Sequence, residues 1–242
     1  MHKENKIDWE SFWNEYRKGD VRTEDDLYFQ VGRTINKKPI PPHVHHLMVE
    51  RIKRMLDLSP GDHLLDLCCG NGLMTFDLAG YVAHVTGVDF AVHLVEAAKS
   101  LKSRGNITYV CGDAKKPLGL FLDASVRPAK VLMNAALAYF DPDDFRTILA
   151  QIIDHNQDAD FLALFTDVPN ADWMFRFYDT PERLARYHEN QKNPMNTNDG
   201  IGRWWRPEEV MEVADGLGLR ASIYPQPVEL TNYRMDVLVS KK

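Results

Sequence analysis

The chain has 242 residues, 44% hydrophobic and 26% charged, which fits one domain with a sizeable core, or one domain carrying an insertion. Its net charge of −6 argues against nucleic acid as a partner, and no apolar run approaches the roughly 18 residues of a membrane span. Cys68, Cys69 and Cys111 show no C-x-x-C spacing and no disulfide framework, so no metal is expected and the thiols read as small apolar fillers. The polar opening MHKENKIDWE lacks the apolar stretch of a signal peptide, and a cytoplasmic protein is expected.

In chain order, Trp9, Phe12, Trp13 and Tyr16 are spaced as one face of a short helix. A polar connection with Lys37-Lys38-Pro39 and Pro41-Pro42 follows, then an amphipathic helix marked by Val44, Leu47, Met48, Ile52, Met55 and Leu56. Strands are expected at 63–67, 84–88, 107–111, 130–134 and 161–166, with helices near 72–79, 91–102 and 143–155 between them. This alternation implies βαβ units and a parallel sheet covered on both faces. Pro207 opens a further helix, and LRASIY and YRMDVLVS read as a final antiparallel pair. The expected fold is an α/β, Rossmann-like doubly wound sheet. Residues 1–42 form an N-terminal helical extension, and 43–242 a domain with an insertion at about 171–206. That insertion carries seven aromatics with Arg176, Arg183, Arg186, Arg203 and Arg206, and its place after a strand's carboxyl end suits a binding element or lid.

Chemistry concentrates in HLLDLCCGNGLM at 63–74. Gly70 and Gly72 let the backbone approach a ligand, but the third glycine of a nicotinamide fingerprint is missing. Asp66, four residues before Gly70, would repel a pyrophosphate and suits a ligand bearing an amine or sulfonium. Asp89 ends the second of these strands, where a carboxylate can accept from both hydroxyls of a ribose. Asp113 follows the third, where an acid can accept from an adenine amino group, and Asn134 ends the fourth. Together they outline a nucleoside site.

From about residue 43 to 168 the sequence resembles the class I S-adenosylmethionine-dependent methyltransferases, small-molecule type. LLDLCCGNGLMT is similar to their D/E-x-G-x-G-x-G motif, with Cys68 where the first glycine usually stands. Cysteine is tolerable there provided its backbone need not take φ > 0. The resemblance implies S-adenosylmethionine as cofactor and S-adenosylhomocysteine as product, on a seven-stranded sheet ending in an antiparallel hairpin. It places Asp66, Cys68, Gly70, Asn71 and Gly72 around the methionine part and Asp89 with Phe90 at the ribose. Asp113 and Ala114 would flank the adenine, with Asn134 and Ala135 near the sulfonium. The extension would cover the cofactor through QVGRTINKKPI, with Arg33 meeting the methionine carboxylate.

An oxygen or nitrogen acceptor can require a base. His188 in the insertion, Tyr139 after the fourth strand and Asp167 ending the fifth are the candidates. Asn134-Ala135-Ala136-Leu137 lacks the prolines of enzymes that methylate exocyclic amines. The expected reaction is methyl transfer to oxygen, ahead of nitrogen, of a small polar metabolite, anionic or sugar-like, as in bacterial biosynthesis. A monomer or homodimer is expected, with no nucleic-acid or membrane partner. The alternatives are a nicotinamide-dependent oxidoreductase and a non-catalytic nucleoside-binding module.

Overall fold

The computed structural model describes residues 8–19, 21–123, 125–157, 159–193 and 200–242. Residues 1–7 of the extension and 194–199 of the insertion therefore lie outside the described residues. Two short helices, α1 (Trp9–Glu15) and α2 (Glu24–Gln30), and a hairpin of β1 (Thr34–Ile35) with β2 (Lys38–Pro39) lead into α3 (Pro42–Met55). The alternating region follows as β3 (His63–Leu67), α4 (Leu73–Leu78), β4 (His84–Asp89), α5 (Val92–Leu101), β5 (Ile107–Cys111), β6 (Lys130–Asn134), α6 (Pro142–Asn156) and β7 (Leu162–Pro169). After the insertion, with α7 (Pro181–Lys192), come α8 (Pro207–Asp215), β8 (Leu219–Pro225) and β9 (Arg234–Lys241).

The seven-stranded sheet runs β5-β4-β3-β6-β7-β9-β8, parallel from β5 to β7, with β9 antiparallel to both of its neighbours. This is the doubly wound sheet with a terminal hairpin that the sequence pattern implies. Two elements escaped that pattern because they are short. α2 depends on a capping box, in which Thr23 accepts from the Asp26 N–H and Asp26 accepts from the Thr23 N–H. The β1–β2 hairpin turns through Asn36 and Lys37 at φ 50° and 60°, the left-handed pair that a tight two-residue turn needs.

Strand alternation sends neighbouring side chains to opposite faces, and each face has its own helices. Leu65, Leu67, Val131, Met133 and Phe165 pack with Phe145, Ile148 and Ile152 of α6 and with Val210 and Ala214 of α8. Leu64, Val85, Leu132 and Leu164 pack with Val49 and Ile52 of α3 and with Leu78 of α4. α6 is fixed at its start by Asp141, which accepts from the Asp143 and Asp144 N–H groups, and by Pro142 at the first helical position.

The winding reverses between β3 and β6, so their carboxyl ends diverge and leave a crevice. The chain turns sharply there. Cys68 after β3, Ala135 after β6 and Asp167 near the end of β7 all take left-handed backbone conformations, at φ 56°, 57° and 62°. The condition set for Cys68 by the sequence is therefore not met: the cysteine stands in a glycine's place and in a glycine's conformation. The Cβ–carbonyl crowding this imposes costs on the order of 1–2 kcal/mol. Half-buried packing of Cys68 against the core offsets part of it.

At the other side of the β7 turn, the β7–β9 register shifts between Phe165 and Val168. Fully buried Asp236 of β9 fills the gap, accepting from the Asp167 N–H at 3.0 Å, from Gln226 Nε2 at 2.8 Å and from Arg51 Nε.

Two stability measurements follow. Cys68→Gly exchanges left-handed strain for roughly 0.4–1 kcal/mol of unfolded-chain entropy and should be near neutral in urea unfolding. Cys68→Val, stiff at χ1 in the same conformation, should cost about 1–3 kcal/mol; equal stability of the two variants would remove the strain. Asp236→Ala strands the Arg51 guanidinium and should cost about 3–5 kcal/mol, and a loss below about 1 kcal/mol would contradict a structural role for this pair.

Candidate active site

A cavity of about 610 Å3 opens at the carboxyl edge of the sheet, within the roughly 300–1,000 Å3 usual for small-molecule sites. Its floor is built from consecutive strand ends. Asp66, Cys68, Gly70 and Asn71 enter from β3 and its loop, Asp89 and Phe90 from β4, Asp113 and Ala114 from beyond β5, and Asn134 and Ala135 from β6. Gly72 belongs to the loop but does not line the cavity. It is the N-cap of α4 at φ 78°, and a Cβ there would lie 2.4 Å from the Tyr109 hydroxyl. This glycine allows close packing against β5.

The acids differ in their partners. Asp66 is almost completely buried and accepts a 2.6 Å hydrogen bond from Thr75 Oγ1. Burial, reinforced by the nearby Asp89 charge, pushes its carboxyl up to about 7 against the pull of Thr75. Asp89 accepts from the Gly70 N–H and the Ala91 N–H, each at 2.9 Å, and burial still holds it up to about 6. The hydrogen bond to Gly70 ties the second strand's acid to the first strand's loop. Asp113 accepts from the Lys115 N–H at 2.9 Å. Asn134 Oδ1 accepts from Thr166 Oγ1 at 2.7 Å. Burial pushes the Cys68 and Cys69 thiols well up, so both stay protonated and unreactive.

The N-terminal extension closes the cavity from above. Trp9, Phe12, Trp13 and Tyr16 of α1 line it, and Trp9 and Trp13 pack on Tyr139 with ring centroids 4.8 and 5.3 Å apart. The extension is latched by Asn71, whose Nδ2 donates to the Leu27 carbonyl at 2.8 Å and to Gln30 Oε1 at 2.9 Å. Asn71 Oδ1 is buried with no protein partner, an acceptor beside the cavity.

At the far end, Asp167, Arg33, Arg234 and Tyr139 meet. Arg33 donates to Asp167 Oδ2 at 2.8 Å, and Arg234 lies 3.6 Å from the same oxygen while donating to the Asp167 carbonyl at 2.6 Å. Burial alone would raise the Asp167 carboxyl, but the two guanidiniums hold it below the ordinary value. An ionised carboxylate so engaged is a poor proton acceptor. Burial pushes Tyr139 up to about 12, so its phenol stays protonated, and it donates to the Gly200 carbonyl at 3.3 Å. Arg33 lines the cavity, and its side-chain partner there is Asp167.

His188 is exposed on α7, its ring against Tyr187, and does not line the cavity. Among the described insertion residues, Gly200 alone does. The insertion's aromatics pack on one another instead, with Phe177, Tyr178, Trp204 and Tyr233 in contact and Trp205 buried at its base. Sequence reasoning missed Arg234, which looks like an ordinary strand residue, and the role of the α1 aromatics as a roof. The Trp-Phe-Trp-Tyr spacing was the available signal for the latter.

No cluster of three or more potential metal ligands occurs among the described residues, and no described helix is long and apolar enough to cross a membrane.

Residues 64–158 match the family model described as a methyltransferase domain. The chain is 30% identical over 220 residues to the O-methyltransferase cnsE of Penicillium expansum, covering 84% of this chain and 74% of that protein. It is also 29% identical over 112 residues to peramine synthetase ppzA of Metarhizium majus, where the match takes in 43% of this chain and 4% of that protein. A third match, 33% identical over 91 residues, is to a 23S rRNA (uracil(1939)-C(5))-methyltransferase of Francisella tularensis, and there the chain spans 18% of the relative's length. The fold is shared with a SAM-dependent methyltransferase from Anabaena variabilis, at TM-score 0.64 and 15% identity, covering 100% of this chain and 99% of that one. It is shared too with DhpI in its SAM–HEP complex, at TM-score 0.61 and 15% identity, covering 97% and 96%. With this fold and these strand-end acids, the chain belongs to the class I S-adenosylmethionine-dependent methyltransferases.

Proposed function

We propose that the enzyme moves a methyl group from S-adenosylmethionine to an oxygen, in preference to a nitrogen, of a small polar metabolite, with anionic acceptors favoured over sugar-like ones. The observation that carries this reading is one continuous cavity with acids at the cofactor side and paired arginines at the other. When bound, the cofactor supplies an activated methyl on a sulfonium, so the protein's task is alignment and exclusion of water.

The residues suit those tasks. Asp89 offers a carboxylate to the ribose hydroxyls, held in place by the Gly70 and Ala91 N–H groups. Asp113 and Ala114 stand at the adenine side. Asn71 Oδ1 and Asp66 give the loop an orphaned acceptor and a buried acid, both of which favour a cationic methionine part. Trp9 and Trp13 shield the reacting end from water. Residues 1–42 are proposed as a lid over the cofactor, and 171–206 as the substrate-side border of the cavity. The O-methyltransferase relative is the specific support for oxygen.

Asp89→Ala should weaken S-adenosylhomocysteine binding by about 1–3 kcal/mol in calorimetry, and unchanged affinity would remove Asp89 from the site. A pH dependence follows from the two buried acids. Their folded values, about 7 for Asp66 and about 6 for Asp89, lie above the ordinary 3.8, so their contribution to the free protein's stability is complete below 3.8 and lost as pH rises through 6 to 7. A cation near Asp66 and ribose hydroxyls donating to Asp89 both favour the ionised forms, so S-adenosylmethionine binding should release protons and tighten between about pH 5.5 and about pH 8. S-adenosylhomocysteine, without the fixed sulfonium charge, should show a shallower dependence. Identical pH profiles for the two ligands would contradict a role for Asp66 in holding the cation.

A further inference from the structure

The acceptor end of the cavity is built for an anion and not for proton removal. Two guanidiniums, Arg33 and Arg234, face one carboxylate, Asp167, which leaves one positive charge in excess among side chains that are 19%, 17% and 13% exposed. A planar guanidinium carries five donors, so neither arginine is exhausted by Asp167. The two groups beside the arginine pair that could take a proton are engaged. Asp167 is pinned between the arginines, and Tyr139 keeps its proton and donates to the Gly200 carbonyl.

We infer that the methyl acceptor is itself an oxyanion, a carboxylate or a phosphoryl or phosphonyl group held by Arg33 and Arg234, and that the product is its methyl ester, formed without a general base. This rests on the methyltransferase reading above. One acceptor oxygen takes the guanidinium hydrogen bonds, and another uses a lone pair to form the new C–O bond. The methyl–sulfur bond breaks with its electron pair passing to sulfur. The transferring oxyanion charge and the sulfonium charge both disappear, and no proton moves. An alcohol acceptor would have to lose a proton beside Asp167, already held by two guanidiniums, and Tyr139, already protonated. Loss of opposite charges in a water-poor cavity also lowers the barrier, because neither ion has its full hydration shell there.

The test uses the full chain saturated with S-adenosylhomocysteine and a panel of aryl and alkyl carboxylates and phosphonates, each paired with its neutral amide or alcohol. Calorimetry should show the acids binding tighter than their neutral partners. Arg234→Gln should weaken the acids at least about tenfold while S-adenosylhomocysteine affinity is retained. Turnover with methyl-tritiated S-adenosylmethionine should label acids only. Alkali then distinguishes the sources: carboxyl esters release volatile methanol, whereas phosphonate monoesters persist and are read by a 31P shift. Acids that bind and react no better than their neutral partners would overturn the inference, as would an ether or N-methyl product. Failure of S-adenosylhomocysteine itself to bind would overturn the cofactor reading beneath it.

Discussion

The carboxyl edge of this sheet depends on one backbone constraint: three of its central strands must leave their extended path there, β3 and β6 by turning out of the sheet and β7 by a bulge after which Val168 and Pro169 rejoin the ladder. Cys68, Ala135 and Asp167 all do so in the left-handed region, without glycine's freedom. Each turn places a chemical group at the crevice. The turn after β3 carries the chain over buried Asp66 into Gly70 and Asn71. The turn after β6 puts Asn134 against Thr166. The turn in β7 aims the Asp167 carboxylate at two arginines, with Asp236 filling the gap in the ladder behind it. Strain at such positions persists only where the surroundings over-determine the conformation. Here the surroundings are the two helix-covered faces of the sheet.

That geometry also explains an electrostatic asymmetry. Asp66 and Asp89 are held up by burial, whereas Asp167, less deeply enclosed, is held down by guanidiniums. The cofactor side therefore contains acids awaiting a cation. The opposite end contains a carboxylate already supplied with more positive charge than it needs. A cationic methyl donor and an anionic acceptor would each meet the complementary half of one cavity, and the reaction between them removes both charges. The extension is joined to the same scheme through Asn71, a cavity-lining residue whose amide nitrogen latches α2 while its side-chain oxygen is buried without a protein partner.

Much of this was legible in the sequence, for local reasons. Strand alternation and helix periodicity are short-range patterns, so 63–67, 107–111 and 130–134 were placed to the residue, and the terminal hairpin followed from its two apolar runs. Strand ends in a doubly wound sheet converge by topology, so residues as distant as Asp66, Asp89, Asp113 and Asn134 could be grouped before their contacts were known. What was not legible depends on long-range partners or on backbone conformation. Nothing local distinguishes Arg234 from any other strand arginine, and its meaning comes from Asp167, 67 residues away in sequence. His188 looked well placed because the insertion is rich in arginines and aromatics, yet those aromatics satisfy one another and leave α7 on the outside. The cysteine at 68 reads as a small substitute for glycine, and its positive φ becomes visible only once β3 and α4 are fixed.

A crystal structure with S-adenosylhomocysteine tests the central claim most directly. The account predicts the ribose hydroxyls on the Asp89 carboxylate, the methionine part over Gly70 and Asn71, and the sulfur directed toward the end closed by Tyr139, Arg33 and Arg234. A ligand seated with its ribose away from Asp89, or with its sulfur directed away from the arginine pair, would contradict it.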